Sequence, residues 1–379
     1  MPYVELPPAH IVDTSEKFSH MVADLKKQSS IAVDTESNSL HAYQEQVCLV
    51  QISTPDKDYV VDPILVPGLD ELGIVFAAPG IQKIFHAGDY DLATLKRDYD
   101  FEFQNLFDTM LAATALAEPA IGLAALLEKY LDLKIEKKYQ RADWGKRPLE
   151  PEMLSYAQKD SHYLIPLRDL LSQRLLQAGR LQNVLEDSAA LAKVTLPMKD
   201  HEEDFWRVRG VQDLKPLALS LLKQLNHLRE NLAMQKDVPP FKVFSDKLMI
   251  EVAQTQPRYR EELSLLPSFS PALNRRYGEQ IMQVVSAWHK NPQPVKPREN
   301  NRLGEREVKL RDALTAWRKE VGEKNSIPSN AVFPRDLLDK IAHQNPGSLD
   351  ELEEVMQDYP NRFREYGPQI LNLLIRKSK

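Results

Sequence analysis

Acidic side chains at three separated places in this chain have the types and spacing for metal-assisted hydrolysis. Asp34-Thr35-Glu36 closes a short apolar run that starts at Ile31. On an extended strand residues i and i+2 share a face, so Asp34 and Glu36 point the same way. Two carboxylates on one face repel unless a cation lies between them, and oxygen-only ligands suit Mg²⁺ or Mn²⁺. The second place is Phe85-His-Ala-Gly-Asp-Tyr-Asp-Leu92, where an apolar run ends at His86 and Gly88 marks a turn. Asp89 is placed to cap a following helix, which puts Asp91 in its first turn. Open α/β sheets form their sites at such strand ends. The third is Tyr156-Ala-Gln-Lys-Asp160, whose i, i+4 spacing sets a phenol and a carboxylate on one helix face.

Each piece alone has a plain structural alternative: exposed strand acids, acids that favour a helix N-terminus, or a half-buried Tyr beside an unrelated Asp. Together, in one segment, they form a more specific pattern. Four carboxylates with few compensating bases need divalent metal to coexist. Two metals ~3.5–4 Å apart would activate a water and stabilise the leaving oxygen of a phosphodiester. A nearby Tyr hydroxyl would orient that water.

The elements that must position these residues are legible from periodicity. Strand-like runs occur at Ile31–Thr35, Val47–Ile52, Tyr59–Asp62 and Gln82–His86. Helical patterns lie near Thr14–Lys27, Leu69–Ala78, Asp89–Tyr99, Thr109–Ala117 and Gly122–Leu131, and one long helix is expected over about Pro151–Ala178. Strands mixed with helices predict an α/β layered domain. Beyond about residue 185 no strand is expected, and the remainder reads as all-helical.

That helical remainder duplicates itself at an offset of 89 residues. Leu225, Arg229, Pro239, Val243, Phe244, Leu248, Ala253 and Pro257 recur as Leu314, Arg318, Pro328, Val332, Phe333, Leu337, Ala342 and Pro346. Tyr277-Gly-x-Gln-Ile281 recurs as Tyr366-Gly-x-Gln-Ile370. This is two copies of a small helical domain rather than a solenoid. Both Tyr-Gly pairs read as helix junctions. The basic stretch Lys296–Arg311, with prolines before and within it, reads as a linker. The repeat carries no metal-spaced cluster and no phosphate loop, so it reads as a binding or positioning module.

The three acidic motifs, in this order, resemble those of the DEDD superfamily of 3′→5′ exonucleases, in its tyrosine-bearing branch. Within it the chain is similar to the ribonuclease D group. The resemblance covers nearly the whole chain, includes Asp143-Trp144-Gly-Lys-Arg-Pro-Leu149, and extends to two HRDC-type domains over the repeat. It implies an α/β RNase H-like exonuclease domain, a mixed sheet flanked by helices, at residues 1–200. Two all-α HRDC-like domains would follow at 210–292 and 300–379. It implies that Asp34, Glu36, Asp91 and Asp160 bind two Mg²⁺ or Mn²⁺ ions and that Tyr156 orients the attacking water. It implies stepwise hydrolysis of RNA to nucleoside 5′-monophosphates, with tRNA precursors and other structured small RNAs as partners. The chain departs from many relatives at Ser37, where they carry a bulky apolar residue. Two other readings stay open on the residues alone. One is a non-catalytic nucleic-acid scaffold. The other is an exonuclease acting on DNA, since only contacts to the 2′-hydroxyl separate the two substrates.

Composition narrows the classes further. In 379 residues, 27% are charged and 42% hydrophobic, which excludes wholesale disorder. Residues 1–200 hold 20 Lys and Arg against 30 Asp and Glu, whereas residues 201–379 hold 29 against 25. A basic half beside an acidic half suits a nucleic-acid holder joined to a carboxylate-rich metal site. The lone Cys48 points to a reducing compartment and a buried, inert thiol. The first twenty residues carry no signal-like apolar core, and the longest apolar stretch, Pro119 to Leu127, is too short to span a bilayer. A cytoplasmic location with no membrane contact is expected, and no protein partner is evident. His86 reads as a structural histidine before a substrate contact, and Asp108 as a helix cap. Lys134–Arg147, with Tyr139 and Trp144 interleaved, reads as a single-strand nucleic-acid platform. Arg275, Arg276, Arg298 and Arg302 are candidate phosphate contacts. Removing residues beyond about 205 is expected to spare catalysis and weaken RNA binding.

Overall fold

Six strands form one mixed sheet: β1 (His10–Val12), β2 (Ser30–Ser37), β3 (Val47–Ser53), β4 (Asp58–Val61), β5 (Gln82–Phe85) and β6 (Leu106–Asp108), in the order β1-β4-β3-β2-β5-β6. The structure is a computed structural model that describes residues 6–135, 138–197, 200, 202–298 and 304–378. β2–β3 and β3–β4 pair antiparallel, while β1–β4, β2–β5 and β5–β6 pair parallel. The two edge strands have three residues each, too few to show a period-2 pattern.

Helices α1 (Ser15–Leu25), α2 (Asp70–Ala77) and α3 (Asp89–Tyr99) cover one face of this sheet. Their apolar side chains, among them Met21, Leu25, Phe76, Leu92 and Leu95, pack against Ile31, Val33, Val50 and Ile52. Helices α4 (Thr109–Ala115), α5 (Leu123–Leu131), α6 (Pro151–His162), α7 (Leu164–Gln177) and α8 (Leu181–Leu191) complete the domain. Ala32, Ile84 and Phe107 meet Leu126, Leu127, Leu167 and Leu171 on the opposite face. A smaller layer under α6 joins Leu49 and Val60 to Trp144, Met153 and Ala157. The one long helix expected over 151–178 is two, because Pro166 lacks an N–H and its ring clashes with the carbonyl four residues back, at His162. The chain breaks at Tyr163 between them.

Nine helices, α9 (Pro216–Lys236), α10 (Asp246–Thr255), α11 (Arg260–Ser264), α12 (Pro271–Lys290), α13 (Glu305–Asn325), α14 (Ser329–Val332), α15 (Arg335–Gln344), α16 (Leu349–Val355) and α17 (Pro360–Ser378), make up the described part of the repeat. Several pairs start 89 residues apart, as α9 and α13 do, and the repeated residues explain why. Arg229 donates to the carbonyl of Phe244 at 3.5 Å, and its counterpart Arg318 to that of Phe333 at 3.1 Å. The Tyr-Gly pairs are not junctions. Tyr277 and Tyr366 are buried, and Gly278 and Gly367 lie inside α12 and α17. A Cβ on Gly367 would sit 2.9 Å from the Phe363 ring, so the close approach of that side chain, not a turn, requires glycine. The linker expectation fails over Glu305–Arg311, which form the first turns of α13, and residues 299–303 lie outside the described residues.

The chain forms two compact units. One comprises Met1–Ser37, Val47–Leu196 and Arg302–Lys379; the other comprises Asn38–Gln46 and Pro197–Asn301. The second helical repeat is therefore part of the body that contains the sheet. Arg362 on α17 is fully buried there. It meets Asp187 at 2.7 Å and Glu186 at 3.4 Å on α8, and donates to the carbonyls of Asn183, Ala331 and Val332. In the other unit Tyr43 packs into the core around Phe205, Leu222 and Trp288. Its hydroxyl donates to Glu230 at 3.1 Å and its backbone N–H to Asp237 at 3.1 Å.

Candidate metal centre and active site

β2 runs past its partner β5, which pairs only with Ser30–Ala32. That leaves the flank of β2 from Val33 onward free of strand hydrogen bonds on one side. Phe85 ends β5, the chain turns through Ala87 in the left-handed region (φ 57°), and α3 begins at Asp89 with Gly88 at its N-cap. Asp89 is thus a first-turn acid rather than the cap. A Cβ on Gly88 would meet Phe85 at 2.6 Å. This turn delivers Asp91 to the free flank of β2, where its Oδ1 accepts the Thr35 backbone N–H at 3.1 Å and the Thr35 hydroxyl at 2.5 Å.

Asp34 and Glu36 share the sheet face beneath α6, and Asp160 descends from that helix. One carboxylate oxygen from each of Asp34, Glu36 and Asp160 falls within 4.8 Å of the others. Asp91 joins them through Thr35, the residue between the two strand acids, rather than within that closest trio. A register shift between Glu36 and Ser37 ends the regular pairing where the site begins, as bulges beside active sites do.

The electrostatics follow from this crowding. Each carboxyl keeps some solvent contact, yet desolvation dominates all four. Burial, followed by repulsion from Asp91, Asp160 and Glu36, drives Asp34 well above the usual carboxylate range. Burial and repulsion from Asp160 and Asp91 push Glu36 up to about 9. Asp160 rises to about 7, chiefly by burial and against a hydrogen bond from Tyr156. Asp91 reaches only about 6, because Thr35 stabilises its charge against burial. Four carboxyls that resist ionising together are a ready-made oxygen set for a divalent cation.

Tyr156 sits one turn before Asp160 and donates its hydroxyl to that carboxylate. Burial and the nearby acids push the phenol far up, so it stays a donor. The Tyr139 ring meets Tyr156 edge-on at 5.7 Å. Together with Lys138, Lys159, Ser155 and Asp160 these rings line a cleft of about 320 Å³. α6 is anchored on its other side. Gln158 donates to Asp58 on β4 at 2.7 Å, the His162 ring meets Asp58 at 2.8 Å, and Ser161 pairs with Ser53 on β3 at 2.8 Å. Burial alone would raise Asp58, but His162 and Gln158 hold it below its ordinary value.

Other expected residues sort differently. His86 is half-buried with its ring 2.9 Å from the Thr109 hydroxyl, and desolvation lowers it to about 4, which leaves it neutral. Asp108 caps α4 through the N–H groups of Met110 and Leu111 and also accepts from Gly88. The Cys48 side chain is buried and forms no disulfide. Within the basic stretch, Trp144 is 1% exposed and is core, not a platform. Arg147 is spent on Asp62, at 2.6 and 2.8 Å, and on the carbonyls of Cys48, Trp144 and Lys146. Lys138 and Tyr139 remain at the cleft. Arg275 and Arg276 are exposed on α12, Arg298 pairs with Glu203 at 2.9 Å, and Arg302 lies outside the described residues. Thr35, Asp58 and Gln158 were not singled out from sequence, although Thr35 stands between the two strand acids. Among the described residues no helix is long and apolar enough to cross a membrane.

A 3′–5′ exonuclease family model matches residues 9–176, and an HRDC domain model matches twice, at 218–285 and 307–374. The chain is 34% identical over 263 residues to a Caenorhabditis elegans protein named exosome complex component 10 homolog, covering 66% of this chain and 29% of that one. It spans about a third of the length of such exosome-type relatives. A ribonuclease D of Gluconacetobacter diazotrophicus is 28% identical, with 90% of this chain and 88% of that protein aligned. The crystal structure of the catalytic core of RRP6 from Trypanosoma brucei superposes with a TM-score of 0.65 at 31% identity, covering 77% of this chain and 83% of that one.

Proposed function

The chain belongs to the family of 3′–5′ exonucleases that carry HRDC domains, and from that premise we propose that it is a divalent-cation-dependent 3′–5′ exoribonuclease of the ribonuclease D kind. The observation that carries this reading is the convergence of Asp34, Glu36 and Asp160 within 4.8 Å, with Asp91 tied in through Thr35, beside a cleft that Asp160 and Tyr156 also line.

In this reading Asp34, Glu36, Asp91 and Asp160 hold two Mg²⁺ or Mn²⁺ ions. When bound, such cations supply the charge that lets these carboxylates ionise together and the polarisation that activates a water and steadies the leaving oxygen. The chain does the rest. Thr35 fixes Asp91, and the Asp58 brace fixes the helix that carries Asp160 and Tyr156. The Tyr156 hydroxyl keeps its proton, and its oxygen orients the attacking water. The Tyr139 ring gives a 3′-terminal base an aromatic face, and Lys138 and Lys159 meet phosphate. Release of nucleoside 5′-monophosphates follows from attack at the last phosphodiester.

The natural substrates in this reading are tRNA precursors and other structured small RNAs, handled in the cytoplasm. The domain bounds 1–200, 210–292 and 300–379 accompany it, supported by HRDC matches separated by the repeat offset. The test is a 3′-labelled tRNA precursor incubated with the full chain in Mg²⁺ or Mn²⁺, with EDTA as control and a matched DNA oligomer alongside. Mononucleotide release from RNA that EDTA abolishes is expected. Equal digestion of DNA would replace ribonuclease by a general exonuclease, and no release with either metal would remove the enzymatic reading.

A further inference from the structure

Gln51 lies in the middle of β3 and is 0% exposed, yet neither its side-chain oxygen nor its side-chain nitrogen has a hydrogen-bond partner. A buried amide without partners is unfavourable, and native structures rarely keep one without a reason. Its position supplies the reason. In the antiparallel pairing Gln51 stands directly across from Asp34. Directly opposed residues share a face, with Cβ atoms ~4.5–5.5 Å apart. The other neighbours on that face do not need the amide. Leu49 and Val60 are apolar, and the Ser53 hydroxyl is engaged with Ser161. Asp34 is the directly opposed neighbour with a carboxylate to offer; Glu36 and Asp58 stand on the diagonals, and Asp58 is already engaged with Gln158 and His162.

We propose that Gln51 is a positioning residue for Asp34: in the cation-loaded protein its amide donates to the Asp34 carboxylate and fixes the direction in which that carboxylate presents its other oxygen. The inference rests on the cation reading above. Carboxylate ligands are themselves held by hydrogen bonds, and loss of such an outer partner weakens metal binding by about 10–100-fold. An apolar side chain of the same length would fill the space and lose the donor.

The experiment uses the full-length chain, stripped with EDTA, as wild type and as Gln51→Met. Mn²⁺ binding is read by electron paramagnetic resonance, and melting is read in EDTA. The variant should bind Mn²⁺ about 10–100-fold more weakly. It should melt no lower than wild type, because it removes an amide that has no partner in the metal-free fold. A side chain needed only for packing would not separate the two readouts in this way. If wild type binds Mn²⁺ and the variant matches it, this inference alone fails. If wild type binds none, the cation reading fails first and takes the inference with it. A variant that melts lower or does not fold shows that the side chain is already needed without metal, which also overturns the proposal. On wild type, the side-chain amide nitrogen and proton signals of Gln51 should shift when Mg²⁺ is added, and unmoved signals would count against it independently of any variant.

Discussion

Replacing Asp160 with Asn should strengthen the metal-free protein while it disables the enzyme. The substitution keeps the shape of the side chain, keeps an oxygen for the Tyr156 hydroxyl, and removes the charge. Burial first, with Asp91 adding repulsion and Tyr156 opposing it, raises Asp160 from 3.8 to about 7. A carboxyl raised in this way binds its proton more tightly in the folded than in the unfolded chain. Its contribution is therefore full below the unfolded value and is lost as pH rises through the folded one. At pH 8 the ionised group opposes the fold. Three units correspond to about 4 kcal/mol at 1.36 kcal/mol per unit. Solvent contact at the cleft and relaxation of the neighbouring acids reduce this to on the order of 2 kcal/mol. At ~2–4 °C per kcal/mol for a body of this size, Asp160→Asn should melt ~4–8 °C above wild type at pH 8 in EDTA. At pH 4 the two should nearly coincide. Saturating Mn²⁺ should reverse the order, since only wild type gains the full binding free energy. Hydrolysis should fall by more than the 10–100-fold that losing an outer partner costs. The assay is differential scanning calorimetry at the two pH values, with and without Mn²⁺. A variant that melts at or below wild type at pH 8 in EDTA would refute the claim that burying this carboxylate among its acidic neighbours strains the metal-free site.

Tyr156→Phe should lower turnover by about a hundredfold, the low end for a positioned proton donor, with RNA affinity little changed; single-turnover rates and filter binding separate the two, and a larger defect in binding would recast Tyr156 as a substrate platform. Arg362→Met leaves Glu186 and Asp187 without their partner, and breaking a buried pair costs about 3–5 kcal/mol. The expected result is a lower melting temperature and early protease cleavage within 304–378, and unchanged melting would show that the second repeat does not depend on that contact.

The placement of the acidic residues was more legible in the sequence than the scaffold. Asp34 and Glu36 announce their shared face through strand alternation, and Tyr156 and Asp160 through helical spacing, because both signals are local. Asp91 was found by its place after an apolar run, but its partner Thr35 was not, since that contact depends on β2 outrunning β5. Strands of three residues, such as His10–Val12 and Leu106–Asp108, carry no period to detect. Trp144 and Arg147 looked like nucleic-acid contacts because a sequence shows residue type and not burial. The repeat was visible at its offset, yet the residues that the copies share do not separate the one that joins the sheet-bearing body from the one that does not. That difference lies in Arg362, whose counterpart one repeat earlier is Leu273.

The loop that follows Glu36 has a consequence for any attempt to dissect this protein. Residues 38–46 leave the sheet one position after Ser37 and belong, by their packing, to the helical body of 197–301. A fragment ending near 205 would carry them as an orphaned hook. The Tyr43 ring would lose the apolar surroundings that bury it, and its hydroxyl and backbone N–H would lose Glu230 and Asp237. The same cut discards the arginine that neutralises two acids on α8. A fragment of the first half is therefore expected to lose stabilising contacts together with the helical repeats. Shortened versions should be judged against the intact chain before any loss of activity is ascribed to missing RNA contacts.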